Sequence, residues 1–155
     1  MTYNPKKGVE YAEKWAFGRN PAYYDFDPIC GDCTNFVSQC LFTGCGEMNY
    51  TPDTGWYYHS LNNRSPAWTG VEYLHRFLTS NTGAGPRGLE QPLKSARVGD
   101  IIQLCFDGVV FGHSLFVVGV SPEIRVAAHS DDSFNRPLNT YQYQIARLIQ
   151  IEGVR

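Results

Sequence analysis

The sequence lacks an apolar run long enough to cross a membrane, and residues 1–7 lack the apolar core of a secretory signal peptide. It also lacks a strong charge of either sign, since 13 basic and 15 acidic residues give a formal net charge of −2. These absences predict no membrane span and no nucleic-acid partner. They leave the location open between the cytosol, export by a route that the sequence does not show, and a domain trimmed from a longer protein.

A complete disulfide framework is not indicated either, because the number of cysteines is odd. Four of the five cysteines fall within residues 30–45 at the spacing C-x2-C-x6-C-x4-C. Structural zinc sites usually join two short pairs across a longer span, and here the third and fourth cysteines lie too close together. We therefore expect no metal and no other cofactor. Cys40, on the same predicted helix face as Cys33, and Cys105, in an apolar run, are interpreted as small buried apolar residues.

The hydrophobic pattern changes along the chain from a helical to an extended period, within a length that suits one domain of residues 1–155. The segments 46–68 and 80–96 are expected to be loops. Helices followed by an antiparallel sheet make an α+β fold, with the N-terminal helices packed on the C-terminal sheet. The pattern predicts helices over residues 8–18, 33–44 and 70–79, and strands over residues 98–106, 111–120, 124–130 and 143–151.

Cys33 opens the second predicted helix, and His113 opens a predicted strand about eighty residues later. A helix N-terminus favours a thiolate and an imidazole can take the thiol proton, so this pair suits nucleophilic catalysis. Cysteine on a helix followed by histidine on a strand is the order found in papain-like cysteine hydrolases. The alternative is a buried structural cysteine and a polar residue at a strand end. Asp32 is interpreted chiefly as a helix cap, with an orienting role second.

A third polar residue is expected on the strand after His113. If the turn between these two strands centres near Pro122, His113 lies opposite Asp131, and Leu115 lies opposite His129. Residues 113, 129 and 131 then point to one face of the sheet, so either His129 or Asp131 can orient His113. A slip of one residue in the pairing would reverse this preference.

A resemblance to a known family is carried by the segments 11–16, 19–21, 31–40, 55–58, 99–103, 112–114 and 129–132. In these segments the chain resembles the putative amidase domain family, which belongs with the CHAP and NlpC-type papain-like hydrolases of peptidoglycan. The resemblance implies a papain-like fold, with Cys33 as nucleophile and His113 as base. The third polar residue of the wider clan is best matched by His129, and Asp132 matches an acidic position that binds substrate or supports His129.

The predicted activity is that of a cysteine amidase or peptidase that hydrolyses an amide bond, with bacterial peptidoglycan or a peptide as its substrate. The protein is expected to be a monomer. One alternative is a catalytically idle module that binds glycan or peptide, and another is an acyl-transfer enzyme or a toxin acting on protein. Besides the catalytic residues Cys33, His113 and His129, the residues expected to contact substrate are Asp32, Trp56, Tyr57, Trp68 and Asp132.

Overall fold

Helices occupy the first half of the chain and the main β-sheet occupies the second half. The fold is described from a computed structural model, which covers residues 2–155. The helices are α1 (Pro5–Trp15), α2 (Cys33–Cys45), α3 (Pro66–Thr69) and α4 (Val71–Ser80). The strands are β1 (Tyr58–Ser60), β2 (Asn63–Arg64), β3 (Pro86–Gln91), β4 (Ile101–Cys105), β5 (His113–Gly119), β6 (Arg125–Ala128), β7 (Ser133–Pro137) and β8 (Ile145–Val154). Short 3-10 helices span Leu93–Ser95 and Leu138–Thr140.

Six strands form one antiparallel sheet in the order β3-β8-β4-β5-β6-β7, while β1 and β2 form a separate hairpin. The predicted α+β arrangement is therefore confirmed. The sequence pattern missed β3 and β7, which are the two edges of the sheet. Edge strands need only one neighbour and tolerate polar side chains, so they lack the apolar signature of the four strands that were predicted.

Helix α2 lies at the centre of the core, packed against α1, α3 and the middle of the sheet. Its residues Phe36, Val37, Cys40 and Leu41 are fully buried. The helix ends at Gly46, whose left-handed φ of 70° suits glycine. Within residues 2–155, no helix combines the length and the apolar character that crossing a bilayer requires.

The two faces of the sheet carry different side chains because neighbouring residues on a strand point to opposite sides. On β5, Phe116 belongs to the apolar cluster shared with the helices. Leu115 and Val117 belong to a second cluster on the other face, which Leu138 and Tyr141 help to cover. Even-numbered residues of β5 therefore face α2, and odd-numbered residues face the second cluster.

The predicted pairing register between β5 and β6 is wrong by one residue near the site. Gly119 pairs with Arg125 as the turn-centred register requires, but an irregularity follows, and Val117 then pairs with Val126 and Phe116 with Ala127. Such an irregularity inserts one extra residue on one strand and shifts every later pair. Continued towards the site, this pairing brings Ser114, rather than Leu115, opposite His129.

Candidate active site

Cys33 is the first residue of α2, as the sequence predicted, and it is 9% exposed. Burial raises the pKa of the Cys33 thiol, and the nearby Asp32 carboxylate raises it further. The backbone N–H groups of Ser114 and Thr34, together with the Thr34 hydroxyl, lie near the sulfur and lower its pKa. The Thr34 hydroxyl is 3.7 Å from the sulfur and also hydrogen-bonds to the Ser114 hydroxyl at 2.9 Å. The start of β5 therefore meets the N-terminus of α2 at Cys33.

Asp32 precedes α2 at the N-cap position, but its side chain does not cap the helix. One carboxylate oxygen accepts hydrogen bonds from the Phe26 N–H and from the Asn35 side-chain amide, both at 2.8 Å. The other oxygen lies 2.5 Å from Nδ1 of His129. Asp32 is 0% exposed. The prediction of a capping, substrate-contacting carboxylate is therefore wrong, because Asp32 is buried and is bound by donors outside the helix backbone.

His129 lies just after β6 and faces α2, so its ring stacks on Phe36 with centroids 4.0 Å apart. It is 1% exposed. Its Nδ1 faces Asp32, and its Nε2 lies 2.8 Å from the Trp15 carbonyl oxygen. Both ring nitrogens are therefore occupied by partners other than His113. The predicted hydrogen bond between His113 and His129 is not formed, because the shifted register turns the two side chains to opposite faces.

Arg19 ties together the loop before α2 and the turn after β6. Its guanidinium contacts Asp27 at 2.5 Å and both carboxylate oxygens of Asp132, at 3.0 and 3.1 Å. Ser130 reinforces this link, because its hydroxyl accepts from the Asp32 N–H at 3.0 Å and donates to Asp27 at 2.7 Å. Asp132, a predicted substrate contact, is thus held by Arg19. Sequence reasoning missed the structural role of Arg19, although this residue stands in one of the segments that carry the family resemblance.

His113 is the first residue of β5, as the sequence predicted. Its ring lies on the face of Leu115, about 6 Å between centroids from Tyr141 and Phe106, and the residue is 7% exposed. Burial and then Arg136 lower the pKa of His113 to about 4, while Asp131 acts in the opposite direction. His113 is therefore neutral at pH 7. Across residues 2–155 no hydrogen bond joins His113 to Cys33, although the neighbouring Ser114 N–H lies near the sulfur.

His113 opens onto a pocket of about 550 Å³ formed by the ends of β5, β6 and β7. Arg136 and Asp131 form an ion pair of 2.9 Å at this pocket, and the Arg136 guanidinium lies 3.7 Å above the Tyr141 ring. The volume of this pocket falls within the range of small-molecule and peptide sites. Sequence reasoning missed Arg136 and Tyr141, because polar and aromatic residues near an edge strand give no periodic signal. The lining includes Phe106, Gly112, His113, Ser130, Asp131 and Arg136.

The aromatic residues expected to line a substrate groove are mostly core residues. Trp56 and Trp68 are 0% exposed, with ring centroids 4.7 Å apart. Their indole N–H groups donate to Ser38 and Asn35 of α2 at 3.0 and 2.9 Å. The prediction that these two tryptophans contact substrate is therefore wrong, because both are buried behind the helix that carries Cys33. Tyr57 is half-buried, and its role in substrate binding stays a prediction.

The cysteines are separate free thiols, with Cys30 exposed and the other four buried. In the part of the chain that the structure describes, no three His, Cys, Asp or Glu side chains converge as ligands of a metal ion would. The expectation of metal-independent chemistry is left to experiment.

Comparison with known proteins agrees with this arrangement at the level of the family. The chain belongs to the family described as Putative amidase domain, which matches residues 2–151. It is also similar to a curated relative, the "Uncharacterized protein YhbB" of Bacillus subtilis (strain 168), with 38% identity over 122 residues. That match covers 75% of this chain and 37% of the relative, so the chain spans well under half of the relative's length. No solved structure matches the chain.

Proposed function

We propose that the protein is a cysteine-dependent amide hydrolase with Cys33 as nucleophile and His113 as general base. The observation that carries the proposal is the meeting of the first residue of α2 with the start of β5. The Cys33 sulfur lies there beside the backbone N–H groups of Thr34 and Ser114. Ser114 directly follows His113 in the chain, and the His113 ring is neutral. A neutral imidazole can accept the thiol proton, and a helix N-terminus stabilises the resulting thiolate.

The proposed reaction begins when the His113 ring turns from Tyr141 towards the sulfur as substrate enters, since catalytic contacts often tighten only in the complex. His113 takes the thiol proton, and the Cys33 thiolate attacks the carbonyl carbon of the amide. Free N–H groups at the first turn of α2 stabilise the oxyanion. The protonated His113 gives its proton to the leaving amine, and water then hydrolyses the thioester to release the acid and restore the thiol.

Asp131 is the carboxylate best placed to support the protonated form of His113. It lies at the same pocket, and its charge raises the pKa of His113 against the effect of Arg136. A carboxylate beside a general base stabilises the imidazolium that forms during reaction. Cys33, His113 and Asp131 are therefore proposed as the reacting set. His129 is proposed to act on the other side, through Asp32.

The substrate class proposed is a peptide amide of the bacterial cell wall, cut by a monomer whose residues 1–155 form one papain-like domain. The support is the match to the Putative amidase domain family and the resemblance of the motifs around Cys33, His113 and His129 to those of peptidoglycan hydrolases. The pocket beside His113 has room for a few residues of an extended peptide.

A second candidate function is a non-catalytic module that holds a peptide or glycan in the same pocket. Two observations favour it: the His113 ring faces Tyr141, and burial raises the pKa of the Cys33 thiol. In this reading the family's site is kept as a binding surface without turnover.

Incubation with purified peptidoglycan, followed by mass spectrometry of the soluble fragments, separates the two candidates. We expect new amine and carboxylate ends from the wild-type protein and none from Cys33→Ala. Binding to the insoluble wall without any new ends would support the module and contradict the hydrolase. Products joined to an added amine would instead indicate acyl transfer.

A further inference from the structure

Asp32 is at the N-cap position of α2, but its carboxylate does not bind the N–H groups of the helix. An aspartate at this position ordinarily accepts a hydrogen bond from a backbone N–H of the first turn. Asp32 makes no such bond, although its own carbonyl accepts from the Phe36 N–H as a normal N-cap does. The N–H groups at the start of α2 are therefore left without a side-chain cap, beside the Cys33 sulfur.

Three donors hold the Asp32 side chain away from the helix backbone. Oδ1 accepts from the Phe26 N–H and the Asn35 amide, and Oδ2 faces Nδ1 of His129 at 2.5 Å. Arg19 approaches the carboxylate to within 3.8 Å. His129, which directly follows β6, holds the carboxylate from outside α2.

His129 is itself rigidly placed. Its ring stacks on Phe36, and its Nε2 lies 2.8 Å from the Trp15 carbonyl oxygen. Nδ1 faces a carboxylate oxygen of Asp32, so it carries the hydrogen and donates to that oxygen. Nε2 is also 3.2 Å from an Arg19 nitrogen, which can only donate, but the carbonyl is nearer. His129 and Asp32 thus form a buried hydrogen-bonded pair next to Cys33.

We propose that His129 is a positioning residue that acts through Asp32, keeping this carboxylate off the first turn of α2 so that its N–H groups remain free for the sulfur and the reacting carbonyl. The inference rests on the proposed role of Cys33 as nucleophile. Without His129, Asp32 would turn to the uncapped N–H groups and occupy them. The thiolate would lose its hydrogen-bond donors, and the Asp32 carboxylate would lie closer to it; both changes disfavour the charged form.

The test measures the rate at which iodoacetamide alkylates Cys33 between pH 6 and pH 10, and so does not depend on amide hydrolysis. A Cys30→Ser background removes the exposed thiol, since the other cysteines are buried. We expect His129→Ala to slow alkylation at pH 7 about 10-fold through a higher apparent thiol pKa. His129→Asn keeps an N–H donor for Asp32 and should retain the parent rate. His75→Ala, which removes a histidine paired with Glu90 on the surface, is the matched control.

A double substitution separates positioning from mere support of the fold. Removing one partner of a buried hydrogen-bonded pair leaves the other polar group without its partner and destabilises a protein, but removing both leaves neither group of the pair behind. Asp32→Ala/His129→Ala should therefore fold, as checked by circular dichroism, and should recover most of the parent alkylation rate. Asp32→Asn/His129→Ala keeps a side-chain oxygen that can cap α2, so its alkylation should stay slow.

The proposal is overturned if the double Ala variant alkylates as slowly as His129→Ala, or if the Asn-containing double variant recovers. It is also overturned if His129→Asn, although folded, behaves like His129→Ala. Failure of the proposed hydrolase function would leave these alkylation rates unchanged and would show instead as a lack of amide cleavage by the wild-type protein.

Discussion

Nδ1 of His129 lies 2.5 Å from Oδ2 of Asp32, and both side chains are buried. This contact joins the residue before Cys33 to the residue after β6, the strand that neighbours β5, on which His113 lies. Two histidines that the sequence suggested as partners are therefore divided between the two faces of the sheet. His129 supports the N-terminus of α2, while His113 faces the open pocket.

The buried His113 should make stability depend on pH in the acid range. Its pKa is lowered from 6.5 to about 4 in the folded protein, so the unfolded chain binds more protons between these values. Stability is therefore fully present above pH 6.5 and is lost as the pH falls towards 4. The largest contribution is roughly 3 kcal/mol. Urea unfolding at pH 7 and pH 4.5 should show a smaller loss for His113→Gln than for the wild type. Equal losses would mean that His113 is not buried as a neutral ring.

The two buried tryptophans should affect stability before they affect substrate binding. Trp68 is fully buried and donates to Asn35 on α2. Trp68→Ala should lower the unfolding free energy by about 3–5 kcal/mol, as expected for deleting a large core side chain. Tyr57→Ala, at a half-buried position, should cost much less. Urea denaturation measures both. The core position of Trp68 would be contradicted if Trp68→Ala kept normal stability and lost only substrate affinity. That result would support the sequence-based prediction that Trp68 contacts substrate.

Asp131 and His129 should act on different limbs of the pH profile. Because Asp131 raises the pKa of His113, Asp131→Asn should move the acid limb of kcat/KM to lower pH and reduce kcat roughly 10–10³-fold. His129→Ala should leave the acid limb in place and shift the limb that reports the thiol. Asp132→Asn, which loses charge at Arg19 instead, is the control. If His129→Ala moves the acid limb and Asp131→Asn does not, the sequence-based choice of His129 as the partner of His113 is right.

Periodic apolar segments allowed much of the fold to be predicted. The helix over residues 33–44 and the four predicted strands correspond to α2, β4, β5, β6 and β8. The two edge strands were missed because an edge strand pairs on one side only and tolerates polar side chains, so it lacks a clear apolar pattern. The register was missed because an irregularity between Val117 and Gly119 leaves no mark in hydrophobicity.

The site was less predictable than the fold, because it depends on that register. Cys33 and His113 were found from their positions at the starts of a helix and a strand. The partners of His129 could not be found, since Trp15 and Asp32 are brought together only by packing between α1, α2 and the sheet. Trp56 and Trp68 lie in a segment without helical or strand period, so nothing in the sequence separated a buried ring from an exposed one.

Thiol chemistry without a metal should survive chelation and be lost on alkylation. We expect unchanged hydrolysis after treatment with EDTA and complete loss after iodoacetamide, with Cys33 as the modified residue. Prior incubation with substrate should slow the loss, because the substrate covers the thiol. Elemental analysis checks the first part and peptide mapping the second. One stoichiometric zinc whose removal unfolds the chain would contradict this expectation.

Paired alanine substitutions test whether Cys33 is the nucleophile of an amide hydrolase. Initial rates of amide cleavage are compared for the wild type, Cys33→Ala and Cys30→Ala, with circular dichroism confirming that each protein folds. Cys30 is the matched control, because it is an exposed cysteine only three residues away. We expect Cys30→Ala to keep the wild-type rate and Cys33→Ala to lose at least about 10²–10⁴-fold in rate. Wild-type turnover by folded Cys33→Ala would contradict the role of Cys33 as nucleophile.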